Sequence, residues 1–214
     1  MTTYFVAVVK CLSCRQSFPF MATGSSNTFG STLYTDGCRR DGPYVGEDVG
    51  IVECPECGAL SWIDDLNFDK VIDASKYYAR PDPRPTASPM SRSDIRAARF
   101  DRLLRRFGST SATSDQLRYL RTQLWWSAND AFIQRAGDLS DSDRENLEEL
   151  LALLTAERDR LERAEILREL GRFDDCLTEL SKMQQPESAI DQQAIVQTIE
   201  KLALEKYAAV QRVG

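Results

Sequence analysis

Four cysteines in two pairs, Cys11 and Cys14 in KCLSC and Cys54 and Cys57 in VECPECG, carry the clearest chemistry in this sequence. Two residues between paired sulfurs let both reach one ion, and two such turns brought face to face complete a tetrahedral thiolate shell. The expectation is one structural Zn2+ held by Cys11, Cys14, Cys54 and Cys57, since four thiolates leave no open position at which water could be activated. Gly58 follows the second pair, where the backbone often needs a positive φ, and Arg15 stands at the equivalent place in the first. A dithiol redox centre is the competing chemistry, but there are two pairs and no βαβ context around either. Cys38, in TDGCRRDGPY, reads as a free loop thiol, with replacement of one of the four ligands as the alternative. Cys176 lies far away on a helical face and reads as a small apolar residue.

What is missing narrows the chemistry further. The chain has 214 residues and no histidine, which removes the commonest general base, every Ser-His or Cys-His nucleophile and imidazole as a metal ligand. Asp64 with Asp65, and Asp174 with Asp175, are carboxylate pairs, but such pairs in turns and at helix starts normally act as caps. The expectation is a protein without catalysis of its own. The formal charge of -6 argues against strong nonspecific attraction to nucleic acid. The longest apolar run, Tyr4 to Val9, is too short to span a bilayer, so no membrane association is expected. The opening MTTYFVAVVKCLSC lacks a leading basic residue and a small-residue cleavage site; it reads as a strand in a cytoplasmic protein, where paired cysteines bind metal more readily than they form bridges.

The elements that must position the cysteines follow from composition. Residues 1–72 are rich in β-branched and aromatic residues and hold five of the six cysteines, with glycines crowded between Gly24 and Gly50. Each cysteine pair follows a strand-like run, YFVAVVK or VGIVE, and 39 residues separate Cys14 from Cys54, so a long loop of about residues 22–50 is inserted between the two turns. Its Phe29, Tyr34, Tyr44, Arg39 and Arg40 suit contact with a partner. The simpler expectation is that its aromatics fold back to thicken a module too small to make its own core. Residues 80–89, RPDPRPTASP, hold four prolines and favour an extended connector, which places a linker at 73–90 and an all-helical domain at 91–214.

Within that domain, SRSDIRAARFDRLLRRF (91–107) sets six arginines against two aspartates along a partly apolar helix, which reads as a solvated outer face or, less simply, as a contact for phosphate or an acidic partner. Residues 114–134 read as a helix apolar on two sides and therefore central, with Trp125 and Trp126 expected to pack in the core and an exposed recognition anchor as the alternative. Ser142 and Glu145 make a capping box ahead of a stripe of Leu147, Leu150, Leu151 and Leu154. Ala164, Leu167, Gly171, Phe173, Cys176 and Leu180 carry the spacing of a tetratricopeptide helical hairpin. A last helix, about Ser188 to Arg212, closes the end.

CLSC followed by CPECG resembles the zinc ribbons at the start of several uncharacterised bacterial proteins in which a tetratricopeptide-like helical region follows. The resemblance covers residues 5–63 through the cysteines and 161–183 through the hairpin, and it implies a structural zinc and a binding role. The fold class expected is α+β, a small N-terminal β zinc ribbon followed by an all-α helical-hairpin domain. The function expected is that of a zinc-binding adaptor with a protein partner; the alternative is nucleic-acid binding through the ribbon and the arginine helix 91–107.

Overall fold

In a computed structural model the chain is described over residues 3–25, 30–40, 50–79, 112–135, 139–183 and 190–213. Both antiparallel strands and helices are present, and the chain divides into two compact units. The first holds the described residues of 3–25 and 50–79, and the second those of 30–40 and 112–213.

In the first unit β1 (Thr3–Lys10) is the central strand of a sheet, flanked by antiparallel β2 (Ser17–Ser25) and β7 (Phe68–Asp73). Alternation in YFVAVVK sends Ala7 and Val9 to one face, opposite Phe20 and Phe18 of β2. These four join Cys11, Val52, Cys54 and Leu66 in one buried cluster. Each large apolar side chain buried there contributes about 1.5–3 kcal/mol. A core of this size leaves a small module short of stability, which is where a metal cross-link matters most. A second hairpin, β5 (Ile51–Glu53) with β6 (Leu60–Trp62), pairs Ile51 with Trp62 and Glu53 with Leu60. A bulge at Asp69 of β7 brings Phe68 opposite Val9, and Val71 lies opposite Ala7; both remain exposed, at 51% and 63%. Composition assigned residues from 73 onward to the connector, yet Asp73 ends β7 and caps α1 (Ala74–Tyr78) by accepting from the Ser75 N–H at 2.8 Å. The prolines of 81–89 and the arginine-rich run 91–107 lie outside the described residues.

The second unit begins with a part of the chain that sequence reading placed in the first. β3 (Thr32–Leu33) and β4 (Arg39–Arg40) form a hairpin from the loop between the cysteine pairs, and it belongs with the helices. Tyr34 is buried there, its ring beneath the guanidinium of Arg40 at 4.7 Å. The aromatic side chain therefore stabilises the helical unit, and the expectation that it thickens the N-terminal module is corrected. Phe29 and Tyr44 lie outside the described residues.

Five helices complete this unit: α2 (Ser114–Arg135), α3 (Asp141–Leu153), α4 (Arg160–Glu169), α5 (Phe173–Ser181) and α6 (Ile190–Leu204). α2 starts at a capping box in which Gln116 N–H donates to Thr113 Oγ1 and Thr113 N–H to Gln116 Oε1, at 3.2 and 2.9 Å. Trp125 is fully buried with Leu147, Leu150, Leu154 and Ile166, so α2 packs on the leucine stripe of α3 and on α4. The capping box of α3 is Ser140 with Asp143, two residues before the expected Ser142 and Glu145. Ser140 is extended, with ψ 162°, and frees its hydroxyl to accept from Asp143 N–H, whereas Ser142 already lies inside the helix.

Gly171 ends α4 with φ 79°; its N–H reaches Arg168 O, and Arg172 N–H reaches Leu167 O, at 2.9 and 2.8 Å. This pair of bonds closes the helix and turns the chain into α5. α6 packs on both α4 and α5 through Ala164, Leu167, Cys176, Leu180, Ile195, Ile199 and Ala203. It does not run on to Arg212. Lys206, at φ 55°, stops it with the same bonding pattern, Lys206 N–H to Ala203 O and Tyr207 N–H to Leu202 O. The following residues pair with the hairpin, Thr35 N–H to Gln211 O and Val213 N–H to Leu33 O, each at 2.9 Å.

Candidate metal centre

Each cysteine pair occupies the six-residue turn of an antiparallel hairpin. Residues 11–16 join β1 to β2, where Lys10 pairs with Ser17, and residues 54–59 join β5 to β6, where Glu53 pairs with Leu60. The two turns share one bonding scheme. Cys11 N–H donates to Gln16 O and Arg15 N–H to Cys11 O; Cys54 N–H donates to Ala59 O and Gly58 N–H to Cys54 O, all between 2.8 and 3.1 Å. Arg15 and Gly58 hold φ values of 63° and 66°. The arginine thus adopts the left-handed conformation that glycine adopts freely, so the first turn has the geometry of the second despite its different residue.

The four sulfurs lie within 4.8 Å of one another. Cys11 Sγ is 3.7 Å from Cys57 Sγ, and Cys14 Sγ is 3.8 Å from Cys54 Sγ. Disulfide sulfurs stand about 2.05 Å apart, so these contacts are not bridges, and all four thiols are free. A tetrahedron with bonds of about 2.3 Å from centre to corner has edges of about 3.8 Å, which these two contacts match. The residues fit a tetrahedral thiolate site for a metal ion. Cys11 and Cys54 are buried, Cys14 is half-buried and Cys57 is exposed, so the site opens to solvent on one side.

The electrostatics of the four thiols are uneven. Burial disfavours a charged Cys11, but the N–H groups of Cys14 and Ser13 and the Cys14 and Cys54 thiols outweigh it and bring Cys11 down to about 7. Burial pushes Cys54 up to about 12 against the N–H groups of Cys57 and Glu56. At Cys14 the Gln16 N–H favours the thiolate, yet burial and the neighbouring Cys57 and Cys11 sulfurs raise it overall. Burial thus opposes charge on Cys54 and Cys14, and a divalent cation bound by the four sulfurs would supply the charge that favours their thiolates.

Cys38 is not part of this cluster. It is buried in the second unit, its N–H on Asp36 Oδ1 at 3.0 Å and its thiol directed at Arg39 O. Cys176 is fully buried among apolar side chains, and burial pushes its thiol up to about 12.

A second concentration of polar groups, buried in the helical unit, was invisible to motif reading. Asp36 accepts from both terminal nitrogens of Arg40 at 2.8 and 2.7 Å and from Asn129 Nδ2 at 2.9 Å. Arg40 Nε also meets Asp130 at 2.6 Å, and Trp126 donates its indole N–H to Asp36 O at 3.0 Å. Asn129 continues the chain to Glu169 Oε1 at 3.1 Å, while Trp125 Nε1 donates to Glu169 Oε2 at 2.8 Å. Arg168 pairs with Glu165 at 2.8 and 2.6 Å and donates to the carbonyls of Tyr207 and Ala209. Partners about 90 residues apart in sequence give no local signature.

Compared with protein-family models, with curated proteins and with solved structures, the chain matches none. Among the described residues no helix is long and apolar enough to cross a membrane.

Proposed function

We propose that this chain is a zinc-binding adaptor, in which a structural Zn2+ on Cys11, Cys14, Cys54 and Cys57 braces a zinc-ribbon module and a tetratricopeptide-like helical unit offers further surface to a protein partner. The observation that carries the reading is the cluster of four sulfurs within 4.8 Å. With four thiolates on one ion every tetrahedral position is filled, so the metal holds the fold and activates no water. Thiolates select zinc or iron over harder cations, and a closed tetrahedral set in hairpin turns suits structural zinc. The partner role draws on the exposed Phe68 and Val71 of β7, beside the ribbon's buried core. The α4–α5 hairpin with α6 packed on both is the helical arrangement to which the tetratricopeptide-like spacing points.

The test combines metal analysis with site-specific cross-linking. Purified protein is expected to carry one zinc per chain. A photo-cross-linker at Val71 is expected to capture a partner that a Phe68→Asp variant, still loaded with zinc, captures poorly. Iron in place of zinc overturns the metal assignment. Nucleic-acid binding that falls steeply with salt and survives Phe68→Asp favours the alternative reading over the adaptor.

A further inference from the structure

The helical unit contains a cavity of about 240 Å³ between α2, α3, the end of α4 and the chain segment that follows α6. Leu139, Tyr207 and Val210 line it together with Glu169, Asn129 and Arg144. The two charges differ in their surroundings. Glu169 is 2% exposed, and its oxygens receive N–H groups from Trp125 and Asn129 but form no ion pair among the described residues, because the adjacent Arg168 is taken up by Glu165 and by two backbone carbonyls. Arg144 lies in the first turn of α3, is exposed, and has no ion pair among the described residues.

An acidic group, a cation and apolar side chains lining one cavity describe a complementary ligand of opposite polarity. We propose that this cavity binds a small zwitterion with an apolar body, an aliphatic α-amino acid, its ammonium on Glu169 and its carboxylate on Arg144. The volume is below the ~300 Å³ at which drug-sized sites begin, so the ligand is small. Residues 207–210 form part of the wall, and Arg168 holds their backbone through the carbonyls of Tyr207 and Ala209. That clamp keeps the wall in place, which lowers the ordering cost of binding. Burial and the nearby Glu165 and Asp36 carboxylates hold the Glu169 carboxyl well above the usual range; an ammonium in the cavity is the counter-charge that would ionise it.

The experiment titrates the full-length, metal-loaded chain with L-leucine, isoamylamine and isovalerate, reading tryptophan fluorescence because Trp125 donates to Glu169, and calorimetry in parallel. L-Leucine is expected to bind, isoamylamine more weakly, and isovalerate not detectably. Arg144→Ala should weaken leucine about tenfold and leave isoamylamine unchanged, as loss of one charged hydrogen-bonding partner predicts. Glu169→Gln should weaken both by about tenfold or more; should that variant not fold, the three-ligand comparison and Arg144→Ala decide. Isovalerate binding as well as leucine, unchanged leucine affinity in Arg144→Ala, or no binding of any probe at millimolar concentration overturns the proposal.

Discussion

Cys54 and Cys38 are both buried, yet only the first has three other sulfurs within ligand distance. Changing Cys54 to serine removes one thiolate from a shell that needs four, so zinc content is expected to fall to a small fraction of one per chain, whereas Cys38→Ser retains it; elemental analysis of both proteins decides. Burial has a different consequence for Asp36, whose carboxylate answers Arg40 and Asn129 in the interior of the helical unit. Asp36→Ala leaves the guanidinium of Arg40 with Asp130 as its one carboxylate among the described residues and is expected to cost about 3–5 kcal/mol in denaturant unfolding, the usual result of breaking a buried ion pair from one side. Glu169 sets a pH dependence. Burial first, then the facing Glu165 and Asp36 carboxylates, hold its carboxyl well above the usual range, against the pull of Arg168 and the Trp125 N–H. An acid raised on folding stabilises the fold while protonated. Its contribution is complete below the ordinary glutamate value of about 4.3 and disappears as pH rises through the raised one. Urea unfolding across pH should show this decline in the native protein relative to Glu169→Gln, and parallel curves for the two would refute it.

At the scale of elements, legibility followed the distance over which each decision is made. The cysteine pairs, their hairpin strands and the glycine turn at Gly171 depend on residues within one turn of one another, and all were readable as local pattern. The α2 capping box is equally local, TSDQ being the signature, although it stands ahead of the apolar periodicity that marks the helix. The end of α6 had no such sign: Leu204-Glu205-Lys206-Tyr207 contains neither glycine nor proline, and apolar periodicity runs past it. What stops the helix is Lys206 held at φ 55° while the residues beyond pair with the hairpin, a tertiary demand that overrides helix propensity. Two substitutions of opposite sign test this. Gly171→Ala forces a Cβ into φ 79° and should destabilise by about 1–2 kcal/mol, although open space surrounds that Cβ. Lys206→Gly relieves the same strain and should stabilise by somewhat less, since glycine loses more backbone freedom on folding. Chemical denaturation midpoints at unchanged slope would separate the two cases.

For the molecule as a whole, the consequential fact is that residues 30–40 lie between the cysteine pairs in sequence but with the helices in contacts. Composition could not reveal this, because the hairpin's anchors are side chains at 126–130 and backbone at 211–213, each too distant in sequence to leave a periodic trace. The arrangement separates two sources of stability along a single continuous stretch. The cysteine hairpins have a small apolar cluster and would depend on a metal held by their four sulfurs, whereas the 30–40 hairpin is fixed by Asp36, Arg40 and Tyr34 within a unit that has its own cores. Chelation is therefore expected to affect the chain in alternation. Hydrogen exchange after treatment with a strong chelator should speed up in residues 3–25 and 50–79, remain slow in 30–40, and remain slow in α2 to α6, with helical circular dichroism nearly unchanged. Were the 30–40 hairpin to lose its protection together with the cysteine strands while the helices kept theirs, Asp36 and Arg40 would not be the anchors their hydrogen bonds describe. A loss of helicity in step with the metal would instead mean that the helical unit depends on the first unit for its own stability.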